Sequence, residues 1–558
     1  MDIKRIPFSY PGSYYTMQYL GEGGEPEGLY IRSLHHDAWE QRAVQIITEH
    51  SVEEIQFFPH ELCVRTEKGK VSFCFADPDC IAFRTEGEAV TFRYTKVSQV
   101  TERKKGLLHE VNCIGQNMKA LLCLREGSVE ITSDWDGDNC TKASHQISSQ
   151  AEGFLYFERD RGSGISRLKE DAVPSYEVCQ TKAKQEFDHW MEASAPAEEK
   201  YRKAYRMASY LNWSSFVAPY GQIPCETMYA SKVSMLGIWS WDHCFHGIGI
   251  LDADPEKAFT QWKLMFEKQA EDGALPDRMD DGGCYWTFTK PPVHGYFLTF
   301  MKKHGLKLTE EETRYAYEHL EKWTDYWFTY HDSDEDGVPE YDNGNDSGWD
   351  NNTVMVKGSP VESPDLSLWL ILQMDCLAAL AEELSMKEEA QKWKEHSREL
   401  TEELLWHFWD GEKECMTGRL VETHERVYSD SLILYLPLLL GERLPESIRS
   451  KMIADLKEEG EFLTVYGLAS ERLKSSWYSP DGYWRGPIWA PSTFLICEGL
   501  RECGEKEFAK ELRDKFLSLC AEHMSMPENF NAKTGESLRD SALIWTASVF
   551  VRMAADKY

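Results

Sequence analysis

The spacing of apolar residues changes period once along this chain, and that change constrains the fold more than any other feature. From about Tyr30 to Phe157 the runs are short and alternating: Val71-Ser72-Phe73-Cys74-Phe75, Ala89-Val90-Thr91-Phe92-Arg93-Tyr94, Gly127-Ser128-Val129-Glu130-Ile131-Thr132 and Gly153-Phe154-Leu155-Tyr156-Phe157. Period two between Gly, Asp and Asn turns predicts antiparallel strands, because successive side chains of a strand face opposite sides. Residues 1–177 are therefore expected to form an N-terminal antiparallel β-sandwich domain. After about Val178 the period becomes 3.6 and stays there. Asp254-Pro255 reads as an N-cap with Pro at the first helical position, Thr309 with Glu312 as a capping box, and Ser363-Pro364 as a further helix start. About twelve helical segments follow, near 197–218, 237–251, 254–271, 292–304, 309–330, 363–384, 386–408, 428–440, 446–457, 488–502, 504–523 and 538–555. Twelve helices with Trp- and Gly-rich connections fit six antiparallel hairpins closed into an (α/α)6 barrel over residues 178–558. An open solenoid would show a repeat of ~30–50 residues, and none is visible. The expected class is multidomain, β followed by α.

Charge excludes several functions. With 61 Lys and Arg against 94 Asp and Glu the formal charge is −33, which repels phosphate backbones and anionic lipid, so neither nucleic acid nor a membrane is expected as a partner. No uninterrupted apolar run approaches the ~18–20 residues of a membrane span, and Met1-Asp2-Ile3-Lys4-Arg5-Ile6-Pro7 lacks the apolar stretch of a signal peptide. A cytoplasmic protein is the expectation. The 15 Cys include no CxxC pair and mostly sit in apolar runs, which predicts reduced, buried thiols. Oligomeric state leaves no signature in the sequence.

Aromatic residues are abundant, with 19 Trp, 26 Tyr and 25 Phe, and several fall in connections where a structural protein would place turn residues. Four such segments combine aromatics with carboxylates: Gly237-Ile238-Trp239-Ser240-Trp241-Asp242-His243-Cys244-Phe245, Gly344-Asn345-Asp346-Ser347-Gly348-Trp349-Asp350-Asn351-Asn352, Gly482-Tyr483-Trp484-Arg485-Gly486-Pro487-Ile488-Trp489, and Pro527-Glu528-Asn529-Phe530-Asn531-Ala532-Lys533-Thr534-Gly535. Aromatic faces beside carboxylates suit a neutral polyol, whose C–H faces stack on indole while its hydroxyls need polar acceptors. Splitting a glycosidic bond requires one protonated carboxyl for the leaving oxygen and a second carboxyl across the ring.

In order and spacing, Ser347-Gly348-Trp349-Asp350-Asn351, Trp239-x-Trp241-Asp242, Tyr483-Trp484-Arg485-Gly486-Pro487-Ile488-Trp489 and Glu528-Asn529-Phe530-Asn531 with Thr534-Gly535 resemble the motif set of glycoside hydrolase family 63. That family includes processing α-glucosidase I, bacterial α-glucosidases and mannosylglycerate hydrolases, and is similar to the family 37 trehalases. The resemblance spans about residues 200–558. It implies an inverting exo-acting hydrolase, foremost an α-glucosidase acting on a short gluco-oligosaccharide or small glucoside. Asp350 would be the general acid and Glu528 the general base that activates water. The bottom-up reading of Asp350 agrees, since Trp349 would desolvate its carboxyl and keep it protonated; helix capping is the alternative. For Glu528 the alternative is a turn residue. The pair Trp241-Asp242 touches sugar hydroxyls in the family, against an N-cap at the barrel rim. Trp241, Phe245 and Trp349 either wall the subsite or plug the barrel, and Gly348 lies in the same motif. Arg485 either orients the base and sugar hydroxyls through its fixed fork or braces loops. Trp484 and Trp489 are further contact candidates, while Trp545 reads as core.

The family often carries Gln-Pro-Pro where this chain has Lys290-Pro291-Pro292, so Lys290 would set a cation near the substrate, suited to an anionic leaving group such as glycerate or to another hydroxyl. Gln269 belongs to a similarly family-like stretch. No cofactor is expected. Asp332, Asp334 and Asp336, followed by Gly337, match the first half of a calcium loop, but position twelve is Asn343 and Pro339 intrudes, so a turn ahead of the catalytic loop is preferred. The competing functions are a mannosylglycerate, glucosylglycerate or trehalose hydrolase, a phosphorylase or lyase on a similar barrel, and a non-catalytic sugar-binding protein. The last would tolerate loss of Asp350 or Glu528, and both are present.

Overall fold

The computed structural model describes every residue except 22–24, 39–40, 96–102, 106–107, 138, 160–172 and 556–558. The described chain divides into two compact units. The first comprises Met1–Ser194, Ser209–Gly237 and Asp280–Gly283; the second comprises Ala195–Ala208, Ile238–Met279 and Cys284–Tyr558.

Two antiparallel sheets build the first unit. One has six strands in the order Tyr15–Leu20, Gly28–Ser33, Arg42–Thr48, Val90–Tyr94, Asn139–Ile147, Val129–Asp136. The other has eight, in the order Val52–Phe58, Glu61–Thr66, Lys70–Asp77, Cys80–Glu86, Gln150–Glu158, Met118–Glu126, Leu108–Cys113, Arg103–Lys105. Phe92 of the first sheet meets Phe83 and Phe73 of the second with ring centroids 5.0 and 6.4 Å apart, so the sheets face each other as a sandwich. Val90–Tyr94 shows the expected alternation of burial. Lys70–Asp77 does not: Val71 through Phe75 are all buried. The cause is helix α1 (Tyr176–Ala193), whose Tyr176 and Cys179 pack with Cys74, Cys80, Ala82 and Phe154 on the sheet's outer face. The period-based boundary at 177/178 is corrected accordingly, since α1 belongs to the first unit.

The remaining helices are α2 (Arg202–Ser214), α3 (Asp242–Ile250), α4 (Pro255–Lys263), α5 (His294–Lys303), α6 (Glu310–Tyr330), α7 (Pro364–Glu383), α8 (Lys387–Phe408), a 3₁₀ segment Leu432–Arg443, α9 (Glu446–Lys457), α10 (Ala490–Glu502), α11 (Lys506–His523) and α12 (Ile544–Ala554). Helices α3, α5, α7, the 3₁₀ segment, α10 and α12 pack successively, and α12 returns to α3, which closes an inner ring of six. Every residue of α3 and of α12 is buried, whereas α8 buries one face only, as inner and outer helices of a barrel must. The architecture is an (α/α)6 barrel. By length and composition α7 could span a bilayer, but its apolar residues are buried in this ring.

The caps read from sequence form: Asp254 accepts from the Lys257 amide, and Thr309 and Glu312 cap reciprocally. The segment predicted near 428–440 is 3₁₀ rather than α, with Pro437 removing one donor and Gly441 turning the chain at φ 57°. Helices α3, α10 and α12 start later than predicted, because the preceding residues pair into small antiparallel sheets. Ile238–Trp239 joins Arg278–Met279 and Cys284–Tyr285, and Ile488–Trp489 joins Asn529–Phe530 and Ser537–Leu538. Eleven of the fifteen cysteines are buried.

Candidate active site

Strand pairing brings two of the four motif segments together. Trp489 pairs with Asn529, and Ile488 with Phe530, which sets Glu528 beside the Tyr483–Trp489 stretch. A third segment is tied in by one amide side chain. Asn351 accepts from the Trp484 amide at 2.9 Å through Oδ1 and donates to Gly482 O at 2.9 Å through Nδ2, while Arg485 Nε donates to Asn351 O at 2.5 Å. Asp350 is thereby held against the segment that neighbours Glu528. The fourth segment contributes Trp241, against whose ring Gly348 lies. At φ 74° Gly348 needs the left-handed region, and a Cβ there would come within 2.7 Å of the indole.

The Tyr483 hydroxyl lies near enough to Asp350 and Glu528 to favour the ionised form of each carboxyl, and burial together with their charges raises the Tyr483 phenol in turn. Tyr483 itself holds a left-handed backbone at φ 63°, and Arg539, whose guanidinium stands 5.0 Å from its ring, has φ 60°. Strained non-glycine positions of this kind concentrate at functional sites.

Desolvation dominates the electrostatics. Burial raises the Asp350 carboxyl above its usual range, opposed chiefly by the Lys290 cation. Glu528 is pushed up to about 7 by burial, with Arg539 opposing and Asp540 adding repulsion. Asp242, the first residue of α3, is likewise pushed to about 7 by burial, and Asp350 and Glu528 both repel its charge. Three carboxyls that sense one another's charge titrate as a coupled set.

Lys290 is 6 % exposed and donates to Asn345 O at 2.8 Å, so its ammonium is fastened to the loop that carries the candidate acid. The aromatic candidates pack on one another. Trp484 lies flat on Trp489, centroids 4.0 Å apart and planes 4° from parallel, and stacks on Trp349 at 4.5 Å; Trp545 stands edge-on to Trp489 at 5.4 Å. All four are at most 4 % exposed, as is Trp241, so the cluster plugs the barrel under the carboxyls. Phe245 is wholly buried between Trp241 and Phe297. Gln269 uses its amide on Gly273 O, His319 O and the His319 ring, away from the carboxyls. Arg485 lies over Trp477 at 5.0 Å. Tyr483, Asn351 and Arg539 were not singled out from sequence; the first two stood inside the quoted motifs, and Arg539 gave no signal.

A closed ring of six inner helices thus gathers the carboxyls of Asp242, Asp350 and Glu528 in its connections, next to a cluster of buried indoles, and the class of protein is a glycoside hydrolase by family. Residues 235–546 match the model of the mannosylglycerate hydrolase MGH1-like glycoside hydrolase domain, and the chain belongs to that family. It is 22% identical to a mannosylglycerate hydrolase from Rubrobacter radiotolerans over 403 residues, 56% of this chain and 89% of that protein. It is 23% identical to a probable mannosyl-oligosaccharide glucosidase from Schizosaccharomyces pombe, over 35% of this chain and only 26% of that protein's length. Among solved structures, the family 63 mannosylglycerate hydrolase of Thermus thermophilus in complex with glucose superposes with TM-score 0.54 at 18% identity over 64% of this chain and 99% of that one. A bacterial glucoamylase complexed with acarbose superposes with TM-score 0.67 at 11% identity over 99% and 93%. At these identities the structures speak to fold.

Proposed function

We propose that the chain is an inverting, exo-acting glycosidase for a small α-glycoside, with Asp350 as general acid and Glu528 as general base. The observation that carries the reading is the convergence of Asp350 and Glu528, from segments far apart in the chain, on one place where each feels the other's charge and Tyr483 acts on both. In the reaction Asp350 gives its proton to the glycosidic oxygen as the bond from that oxygen to the anomeric carbon breaks. A water on the opposite face attacks the carbon and passes a proton to Glu528. Burial shifts Asp350 toward its protonated form, and Arg539 favours the ionised form of Glu528. Asp242, buried at the barrel rim, would accept from sugar hydroxyls.

Glycosides of glycerate lead as substrates, because the Rubrobacter relative aligned over 89% of its length is a mannosylglycerate hydrolase. Short gluco-oligosaccharides are the second reading, favoured by the sequence motifs shared with α-glucosidases. Proton NMR during early turnover tests the mechanism: an α-glycoside should release the β-sugar first, and direct appearance of the α-anomer would refute inversion. A panel of mannosylglycerate, glucosylglycerate, nigerose, kojibiose, maltose, isomaltose and trehalose separates the substrate readings.

A further inference from the structure

Away from the carboxyl set, a four-stranded sheet of the second unit, ordered Glu340–Tyr341, Val361–Glu362, Gly418–Leu420, Arg426–Val427, gathers a second constellation. Glu362 is 0 % exposed; its Oε2 lies 2.5 Å from His407 Nε2, and its buried Oε1 has no hydrogen-bond partner among the described residues. His407, in the last turn of α8, is 2 % exposed. His424 sits in the turn before Arg426–Val427 with φ 49°, its ring 6.2 Å from that of His407. Asp336 completes the group from the loop after α6, and one atom from each of the four residues lies within 4.8 Å of the others.

The acidic loop alone would carry nothing. Both carboxylate oxygens of Asp332 accept from its own turn, from the Asp336 and Gly337 amides at 3.1 Å each. The buried, unpartnered oxygen of Glu362 is different, because such an atom costs free energy unless something pairs with it. Four ligand atoms from four separate elements approach the spacing of about 3.4 Å that bonds of ~2.1 Å to one tetrahedral ion would set. Two carboxylates supply the charge a divalent ion needs. Arg419, which donates to His407 O at 2.7 Å, is the nearby cation that opposes it, and Asp334, 3.4 Å from His424 Nε2, adds a further negative charge.

We propose that Asp336, Glu362, His407 and His424 bind one divalent transition-metal ion of the zinc class. Two imidazoles with two carboxylates match that class, whereas calcium and magnesium prefer oxygen alone. The exposed side of His424 and Asp336 leaves a route of entry. Occupied, the site would clamp the loop after α6 to α8 and to the sheet, upstream of Asp350.

The test uses tag-free full chain stripped with chelator and titrated with Zn2+ by calorimetry and with Co2+ by visible absorption. One equivalent of Zn2+ per chain, visible Co2+ bands from imidazole ligation, a raised thermal midpoint and no displacement by millimolar Ca2+ are expected. His424→Ala and Glu362→Gln should each weaken Zn2+ at least about tenfold. His424 is partly exposed, so His424→Ala decides the matter even where Glu362→Gln fails to fold. Absence of stoichiometric binding, equal affinity in His424→Ala, or displacement by Ca2+ would each overturn the assignment.

Discussion

Lys290 Nζ stands 3.8 Å from Asp350 Oδ1 and 3.7 Å from Asp277 Oδ1, a cation set between two carboxylates and almost fully withdrawn from solvent. Sequence alone allowed a cation facing an anionic leaving group; the structure gives Lys290 partners of its own, so its effect on catalysis runs through Asp350.

Lys290→Met should therefore move one limb of the pH profile. The ammonium opposes protonation of Asp350. Removing it raises the Asp350 pKa further, so the alkaline limb of kcat/KM, which reports loss of the acid's proton, should move to higher pH. A limb that stays in place would deny the coupling.

Asp350→Asn and Glu528→Gln should each lower kcat by ~10²–10⁴ while leaving the far-ultraviolet circular dichroism unchanged, as general acid and base terms of that size imply. Near wild-type hydrolysis by either variant would remove that residue from the mechanism.

Stability should move the other way for Glu528→Gln. The folded-state value of about 7 lies above the ordinary 4.5, so the fold favours the protonated carboxyl. That contribution is complete below about pH 4.5 and is lost as pH rises through 7. Above pH 7 the variant should be more stable than the wild type in urea unfolding, by up to ~3 kcal/mol, and the difference should vanish in acid.

Tyr483→Phe keeps the ring and removes the hydroxyl that favours ionisation of both carboxyls. Both pKa values rise, so both limbs of the profile should move upward in pH together. Movement of only one limb would mean that the phenol serves a single carboxyl.

Trp484→Ala should destabilise by ~3–5 kcal/mol, the range for a fully buried large aromatic, measured as a loss of thermal midpoint. A sugar-contact role alone would instead raise KM and leave the midpoint alone; Trp484 is 0 % exposed, stacked between Trp349 and Trp489.

The carboxyl set shows how far reading by residue type reaches. Asp242 and Asp350 could be picked out because acidic residues beside Trp in connections are unusual, and Glu528 through its place in a family-like motif; the structure brings all three within one another's field. The indoles around them stayed open between two readings, since a Trp next to a carboxylate in sequence looks the same whether it faces a pocket or fills a core. Tyr483 lies two residues from Arg485, and nothing local marks it as the residue shared by two carboxyls. That follows from pairing Trp489 with Asn529, forty residues away in the chain.

The switch from period two to period 3.6, the caps at Asp254 and Thr309, and the four aromatic segments are determined by the sequence alone, because each depends on backbone geometry or side-chain chemistry within a few residues. The tertiary structure decided the rest. It alone laid α1 on the sandwich, returned α12 to α3 to close the ring, turned the motif tryptophans inward, and brought Asp350 and Glu528 within the influence of one phenol. The physical reason is desolvation. Burial raised these carboxyls and consumed those indoles, and burial is settled only when segments hundreds of residues apart meet.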